Sequence, residues 1–342
     1  MSGRPTVELN VVRGTLHTQQ LLTGFLMLER AGELDLKVRL LPPSRELSSL
    51  IVTATIDGRR VGYDTRDGII DLHSAIRRYL DSLDHFFVRS YRPGAYGAYE
   101  SRVRPLGLNY DVAMFHPISL AARYATARGV ARAATKVALR YDRLPFVSSY
   151  EQAPGDWRDG PVVFLTRCWD LNEHKEAEGL ETVAAVNASR AQAVRTLRSA
   201  FGKRFIGGFK PTPYARAHFP DCVVDARMAR RRTYLHLMKQ ASVCVTTRGL
   251  HQSNGWKLAE YVAASKPIVT EPLLYEVPGE FGPGTNYVEF RNPDGLVAAV
   301  QELLADSSKA VRVATANRLY YMAAVRPDAL VRNSLIACGG IA

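Results

Sequence analysis

Strand-length apolar runs alternate with helix-length amphipathic stretches along almost the whole chain, and they do so in two series. A continuous apolar run followed by a helical pattern and a further apolar run is the signature of β-α-β units. In the first series VELNVV (7–12) reads as a buried strand, 18–31 as an amphipathic helix and DLKVRLL (35–41) as the next strand. The runs on either side of Asp57-Gly58 read as a hairpin inserted into this alternation. A helix over 71–83, a strand in DHFFVRS and an irregular segment rich in Tyr, Arg and Gly follow. YDVAMFHP (110–117) reads as a strand ending at His116-Pro117, and 119–143 as one helix.

The second series starts after the break EQAPGDWRDG (151–160). PVVFLT (161–166), RFIGGF (204–209), SVCVTT (242–247), KPIV (266–269) and NYVEF (286–290) read as strands. Helices are expected over 176–201, 234–241, the stretch after Gly255, 294–305 and 307–325. Two doubly wound, Rossmann-like α/β domains follow from this pattern, expected at 1–150 and 151–310. A C-terminal segment, 311–342, would pack back on the first domain. In such sheets ligands sit beyond the carboxyl ends of the strands.

Composition narrows the classes further. The 342 residues carry 45 Lys plus Arg against 33 Asp plus Glu, a net charge of +12 that favours anionic partners. No stretch approaches the ~18 apolar residues of a membrane span, and MSGRPTVELNVVRG lacks the pattern of a secretory signal. Cys168, Cys222, Cys244 and Cys338 are far apart, with no metal-ligand spacing, as expected of buried thiols in a cytoplasmic protein. No nucleic-acid-binding motif accompanies the basic residues, so nucleic acid is not the expected partner.

Chemistry concentrates at the ends of predicted strands. In HQSNGWKLAEYVAASKPIV (251–269) Gly255 opens a helix whose free N–H groups suit a phosphate or a sugar hydroxyl. Leu258, Tyr261 and Val262 would face the sheet, with Lys257 and Glu260 on another face. Glu260 is placed either to accept both hydroxyls of a ribose or to form an ordinary surface pair with Lys257. Arg167 directly follows the strand 161–166, and Lys175 lies near the start of the next helix. Gly207-Gly208 close a further strand, while Gly14 and His17 lie at the first strand-to-helix turn. Arg123, Arg128, Arg132, Lys136 and Arg140 would form one basic stripe on the helix 119–143. That stripe is a solvated face, a contact for anionic lipid at the inner membrane face, or a site for a polyanionic acceptor.

The run of strand, loop, G-x4-E helix and K-P-I-V, here Gly255 to Glu260 and then Lys266-Pro267-Ile268-Val269, resembles the donor-binding region of GT-B glycosyltransferases of the retaining, group 1 type. It is most similar to the subgroup with the spore-maturation-type enzymes, over about 160–305. The resemblance implies a GT-B-like fold whose two domains face a cleft. It also implies transfer from a nucleotide-sugar to a glycan, lipid-linked or small-molecule acceptor, as in polysaccharide biosynthesis. Retention of configuration follows from it, with no cofactor and no obligatory metal, the leaving diphosphate helping to deprotonate the acceptor. It implies ribose binding by Glu260, diphosphate binding by Arg167 and Lys175, and sugar or diphosphate contact by His116, which ends a D-V-x-x-x-H run. Gly14, His17, Gly207 and Gly208 would line the donor. The family's second Glu is replaced here by Gln252, with His251, Ser253 and Asn254 beside it as polar sugar contacts. A nucleotide-sugar epimerase and a non-catalytic scaffold on the same fold are the alternatives, with a nucleic-acid-binding protein behind them.

Overall fold

The structure is a computed structural model and describes residues 4–42, 48–124, 126–138, 144–174 and 180–340. The chain forms two compact units. One comprises 1–149, 274–279 and 322–342; the other comprises 150–273 and 280–321.

The first unit is built on β1 (Thr6–Val12), α1 (Gln19–Arg30), β2 (Asp35–Leu41), β3 (Ile51–Ile56), β4 (Arg59–Asp64), α2 (Ser74–Asp81), β5 (His85–Val88) and β6 (Val103–Pro105). Its sheet runs β2-β1-β3-β4-β5-β6. β3 is antiparallel to both its neighbours, and the other neighbouring pairs are parallel. The cause is the hairpin: Asp57 and Gly58 take φ of 47° and 85°, the left-handed pair that a tight turn between twisted strands requires. Asp57 Oδ1 also accepts from Thr6 N at 2.8 Å, fixing the turn to β1. Leu21, Leu22, Phe25, Leu26 and Leu28 of α1 are buried against Val7, Leu9 and Val11. Full burial of such side chains is worth about 1.5–3 kcal/mol each.

Two expectations fail in this unit. YDVAMFHP is not a strand; only Ala113 forms a bridge, to Phe146. Ala113 N donates to Pro145 O at 2.7 Å, and two of the segment's other backbone groups are taken by α1 side chains. Tyr110 N donates to Gln20 Oε1 (3.4 Å), and Thr23 Oγ1 donates to Val112 O (3.4 Å). Nor is 119–143 one helix. It divides into α3 (Pro117–Arg123) and α4 (Ala127–Ala138), with Tyr124 extended between them. Arg123 is drawn inward to a buried two-bond pair with Asp111, at 2.5 and 2.6 Å. The Thr126 hydroxyl accepts from Gly129 N (3.2 Å) and starts the next helix. The basic stripe therefore loses its first member to the interior. Arg128 and Arg132 are exposed on α4, while Arg140 and the Lys136 side chain lie outside the described residues. A single turn, α5 (Val147–Tyr150), leads out of this region.

The second unit contains β7 (Val162–Thr166), α6 (Leu180–Phe201), β8 (Phe205–Phe209), α7 (Pro213–His218), α8 (Arg231–Gln240), β9 (Val243–Thr246), α9 (Trp256–Ala263), β10 (Ile268–Thr270), β11 (Val288–Glu289), α10 (Pro293–Ala305) and α11 (Ser307–Tyr320). Its sheet is entirely parallel, in the order β11-β10-β9-β7-β8. Strand residues alternate between faces. Val162, Phe164, Val243, Val245 and Val269 share a core with α6 and α10. On the other face, Cys244 Sγ lies 3.9 Å from the Met238 carbonyl of α8. Helices thus cover both faces of a doubly wound sheet, as an all-parallel sheet requires.

The chain then returns to the first unit through α12 (Pro327–Ala337). α12 packs on α1 at Gly24, where a Cβ would lie 2.1 Å from the Pro327 carbonyl oxygen and 2.6 Å from Val331. Only glycine permits that approach. The second unit reaches Tyr321, so α11 belongs to it and not to the returning segment. The four cysteines are buried and free. Among the described residues no helix is long and apolar enough to cross a membrane.

Candidate functional site

In the second sheet, β8 lies on one side of β7 and β9 on the other, so the chain changes direction between β7 and β9. The loops that leave these two strands diverge and open a crevice, the usual ligand position in such sheets. A cavity of about 390 Å³ lies at this edge. It is lined by Thr182, Ser189 and Arg190 of α6, by Thr247, Arg248, Gly249 and Gln252 after β9, and by Glu271 directly after β10.

Arg190 holds the loops apart at a fixed distance. Its guanidinium is buried and donates from Nη1 to Arg167 O (2.8 Å), from Nη2 to Arg248 O (3.0 Å) and from Nε to Thr247 Oγ1 (3.1 Å). One side chain thereby ties the loop after β7 to the loop after β9. Burial lowers its pKa to about 10, against the field of Glu271. Glu271 Oε2 supports the second loop from the β10 side by accepting from Arg248 N at 2.7 Å.

The loop beyond Gly249 is strained. His251 and Gln252 are consecutive non-glycine residues with φ of 56° and 59°, a conformation that costs roughly 1–2 kcal/mol per residue. The bonds from Gly249 N to Ser253 O (2.9 Å) and from Ser253 N to Leu250 O (3.0 Å) hold it closed. Backbone strain of this kind clusters at functional sites. Here it turns Gln252 toward the cavity, while Ser253 and Asn254 are buried. Gly255 caps α9 with its Cα side close to Thr247 O, where a Cβ would meet the carbonyl at 3.3 Å.

Glu260 lies one turn into α9, and its carboxylate faces α8. It accepts from the Tyr234 hydroxyl and from Lys257 Nζ (3.0 Å). The Lys257 ammonium also sits over the Tyr234 ring, 3.3 Å from its centroid. The pairing with Lys257 exists, but Glu260 is buried, so it is not a surface pair. Burial lowers the Lys257 pKa, partly offset by Glu260, and raises that of Tyr234. Glu260 is not among the residues lining the cavity.

The remaining candidates are placed as follows. Arg167 is exposed beyond β7, its guanidinium 4.8 Å from the Trp169 ring centroid. Lys175 lies outside the described residues. Gly207 and Gly208 lie inside β8 and do not end it. Side chains there would meet Phe164 O at 2.5 Å and Cys222 O at 2.2 Å, so packing alone demands glycine at both. In the first unit, Gly14 turns the chain after β1 with φ of 85° and donates to Ala122 O (2.8 Å). His17 is half-buried. Its Nδ1–H donates to Thr65 O (3.0 Å), and burial, then Arg89, lowers its pKa. His116 caps α3, Nδ1 accepting from Ile118 N (3.2 Å).

The structure thus brings Gln252 together with Arg190 and Glu271, which the motif reading did not single out. Both had a signal. Val183, Asn187, Arg190, Ala191, Val194 and Leu197 form the buried stripe of α6, and a guanidinium on such a stripe must be buried and paired. Glu271 is a carboxylate at the carboxyl end of a parallel strand.

No protein-family model matches the sequence, and no curated protein does. Solved structures give low-scoring likenesses over nearly the whole chain. A Listeria monocytogenes protein assigned as a UDP-N-acetylglucosamine 2-epimerase is 9% identical, with a TM-score of 0.43, covering 98% of this chain and 96% of that one. The sucrose-phosphate synthase of Thermosynechococcus elongatus is 12% identical, with a TM-score of 0.41, covering 96% and 99%. HepE of Anabaena, in complex with UDP and glucose, is 11% identical, with a TM-score of 0.41, covering 97% and 99%. Scores below one half carry no argument about activity.

Proposed function

We propose that the chain is a glycosyltransferase whose second unit holds a nucleotide-sugar at the carboxyl edge of its parallel sheet. The observation that carries this reading is the cavity beside the strands where the chain reverses direction, with Arg190 fixing the two loops that flank it. Arg167 is an exposed cation at the end of β7. Together with Lys175 it stabilises the diphosphate as it departs, so the developing negative charge is met by cations. The positive end of the α9 dipole, after Gly255, adds to this. Glu260 takes the ribose hydroxyls, exchanging its bond to Tyr234 or Lys257 for them. Gln252 and His251 approach the sugar.

The acceptor is a glycan, a lipid-linked glycan or a small molecule. Transfer proceeds with retention and without a metal. The exposed Arg128 and Arg132 of α4 are the residues available for an anionic acceptor or bilayer surface.

Calorimetric titration with a panel of nucleotide-sugars tests the proposal. Wild type binds at least one of them, and Glu260→Gln weakens that binding by about tenfold or more, a loss near 1.4 kcal/mol, with the unfolding transition retained. Equal affinity in wild type and Glu260→Gln for every bound donor removes the ribose role. No binding of any donor removes the function.

A further inference from the structure

The two partners of Glu260 crowd one end of its carboxylate. The Tyr234 hydroxyl and Lys257 Nζ both donate to the same oxygen, Oε2. Oε1 accepts from nothing among the described residues. An ionised carboxylate offers about four acceptor positions over its two oxygens, so Oε2 is filled while Oε1 is open. A ribose presents two neighbouring hydroxyls. One of them can reach Oε1 directly. The other needs a position on Oε2, and one of the two donors there must give way.

Burial decides which. Tyr234 is 7% exposed, and the Lys257 ammonium covers its ring. A tyrosine hydroxyl that left Oε2 would stay in the interior, and an unpaired buried donor is costly. Lys257 differs. Its side chain is 33% exposed, against 8% for that of Glu260, and it has a flexible four-carbon stem. Burial and the field of Arg231 both oppose its docked charge, which Glu260 supports. On release its ammonium regains water.

Resting on the ribose role proposed for Glu260, we infer that Lys257 is the partner that yields, and that it competes with the second ribose hydroxyl for Oε2. Lys257 touches no reacting atom. It acts through Glu260, as a positioning residue that sets how strongly a ribonucleotide is preferred to a deoxyribonucleotide. A ligand with both hydroxyls must displace the ammonium. A ligand with one takes Oε1 and leaves the pair with Lys257 in place.

The test compares UDP, GDP and ADP with their 2′-deoxy forms by calorimetric titration. For a diphosphate that binds wild type, Lys257→Met should bind the ribose form about tenfold more tightly than wild type does. The 2′-deoxy form should be bound within about twofold of wild type. Lys257→Gln keeps one N–H for Oε2 without the charge and should tighten ribose-form binding by about threefold. It carries the test if the apolar variant does not unfold cooperatively. A ribose form bound no more tightly than by wild type, or an equal gain for both forms, overturns the role of Lys257 and leaves the proposed function standing. If wild type binds none of the three, or Glu260→Gln binds them as wild type does, the ribose role itself falls and this inference with it.

Discussion

The two sheets end differently at their carboxyl edges. In the first unit the groups beyond the strands are spent on one another. Asp64, closing β4, accepts from Arg66 Nε at 2.9 Å, Asp67 pairs with Arg89, and Asp111 pairs with Arg123. In the second unit one guanidinium is spent on main-chain carbonyls and the neighbouring amide, hydroxyls and carboxylate face a cavity. Paired buried charges fix loop positions at a desolvation cost and present little to a ligand. An edge braced by a single cation through three hydrogen bonds keeps its geometry and leaves hydrogen-bonding capacity unused. The comparison explains why charge at strand ends is a poor guide to a site until its partners are known.

The sharpest way to break the comparison is to unpair the closed edge. Asp111→Ala leaves the Arg123 guanidinium buried without its carboxylate and should cost about 3–5 kcal/mol in urea unfolding. Asp111→Ala/Arg123→Met should recover much of that loss. A cost below about 1 kcal/mol would show that the pair is not what positions α3.

A second experiment probes the interior of the open unit. Lys266 is fully buried, donates to Lys239 O at 2.9 Å and sits over the Trp157 ring. Burial lowers its pKa from 10.5 to about 8. Between pH 8 and 10.5 the unfolded chain holds a proton that the folded chain has released, so stability rises with pH across that window. The full gap corresponds to about 3 kcal/mol. Tyrosines raised by burial, such as Tyr79 at about 12, oppose this rise as the pH passes 10. The readout is therefore the difference from Lys266→Met, in which the Lys266 contribution should vanish. Parallel pH profiles in the two proteins would refute it.

The smallest effect sharpens the comparison at the open edge itself. Arg190→Lys keeps a cation but cannot serve both carbonyls and Thr247 Oγ1 in one plane. It should cost about 2 kcal/mol of stability. It should also weaken nucleotide-sugar binding more than binding of the bare diphosphate, because the spacing of the loops around the cavity is altered. Equal losses for both ligands would reduce Arg190 to a packing role.

The sequence showed the fold wherever local chemistry decides it. The hairpin was legible because Asp57-Gly58 takes the left-handed turn by itself, and the parallel strands were legible from their continuous apolar runs. The segment 110–117 misled because its alternation is strand-like, whereas its backbone partners are Gln20 and Thr23, some ninety residues earlier. No local pattern records such a bond. At the candidate site, Gln252 was singled out only through the resemblance, as the position where the family carries its second Glu. Glu260's hold on Tyr234 depends on the packing of α8 against α9 and was not. Arg190 and Glu271 had detectable signals, a charge on an apolar stripe and a carboxylate at a strand end, but their joint grip on one loop exists only in three dimensions.

The return of α12 to α1 imposes an order of assembly. Gly24 and Val331 meet in the same core, and Gln20 donates to Val325 O at 2.8 Å. On the ribosome, the second unit is synthesised before that partner emerges. α1 must therefore leave its α12-facing side uncovered while some three hundred further residues are translated, which makes the nascent first unit, rather than the second, the natural client of a chaperone.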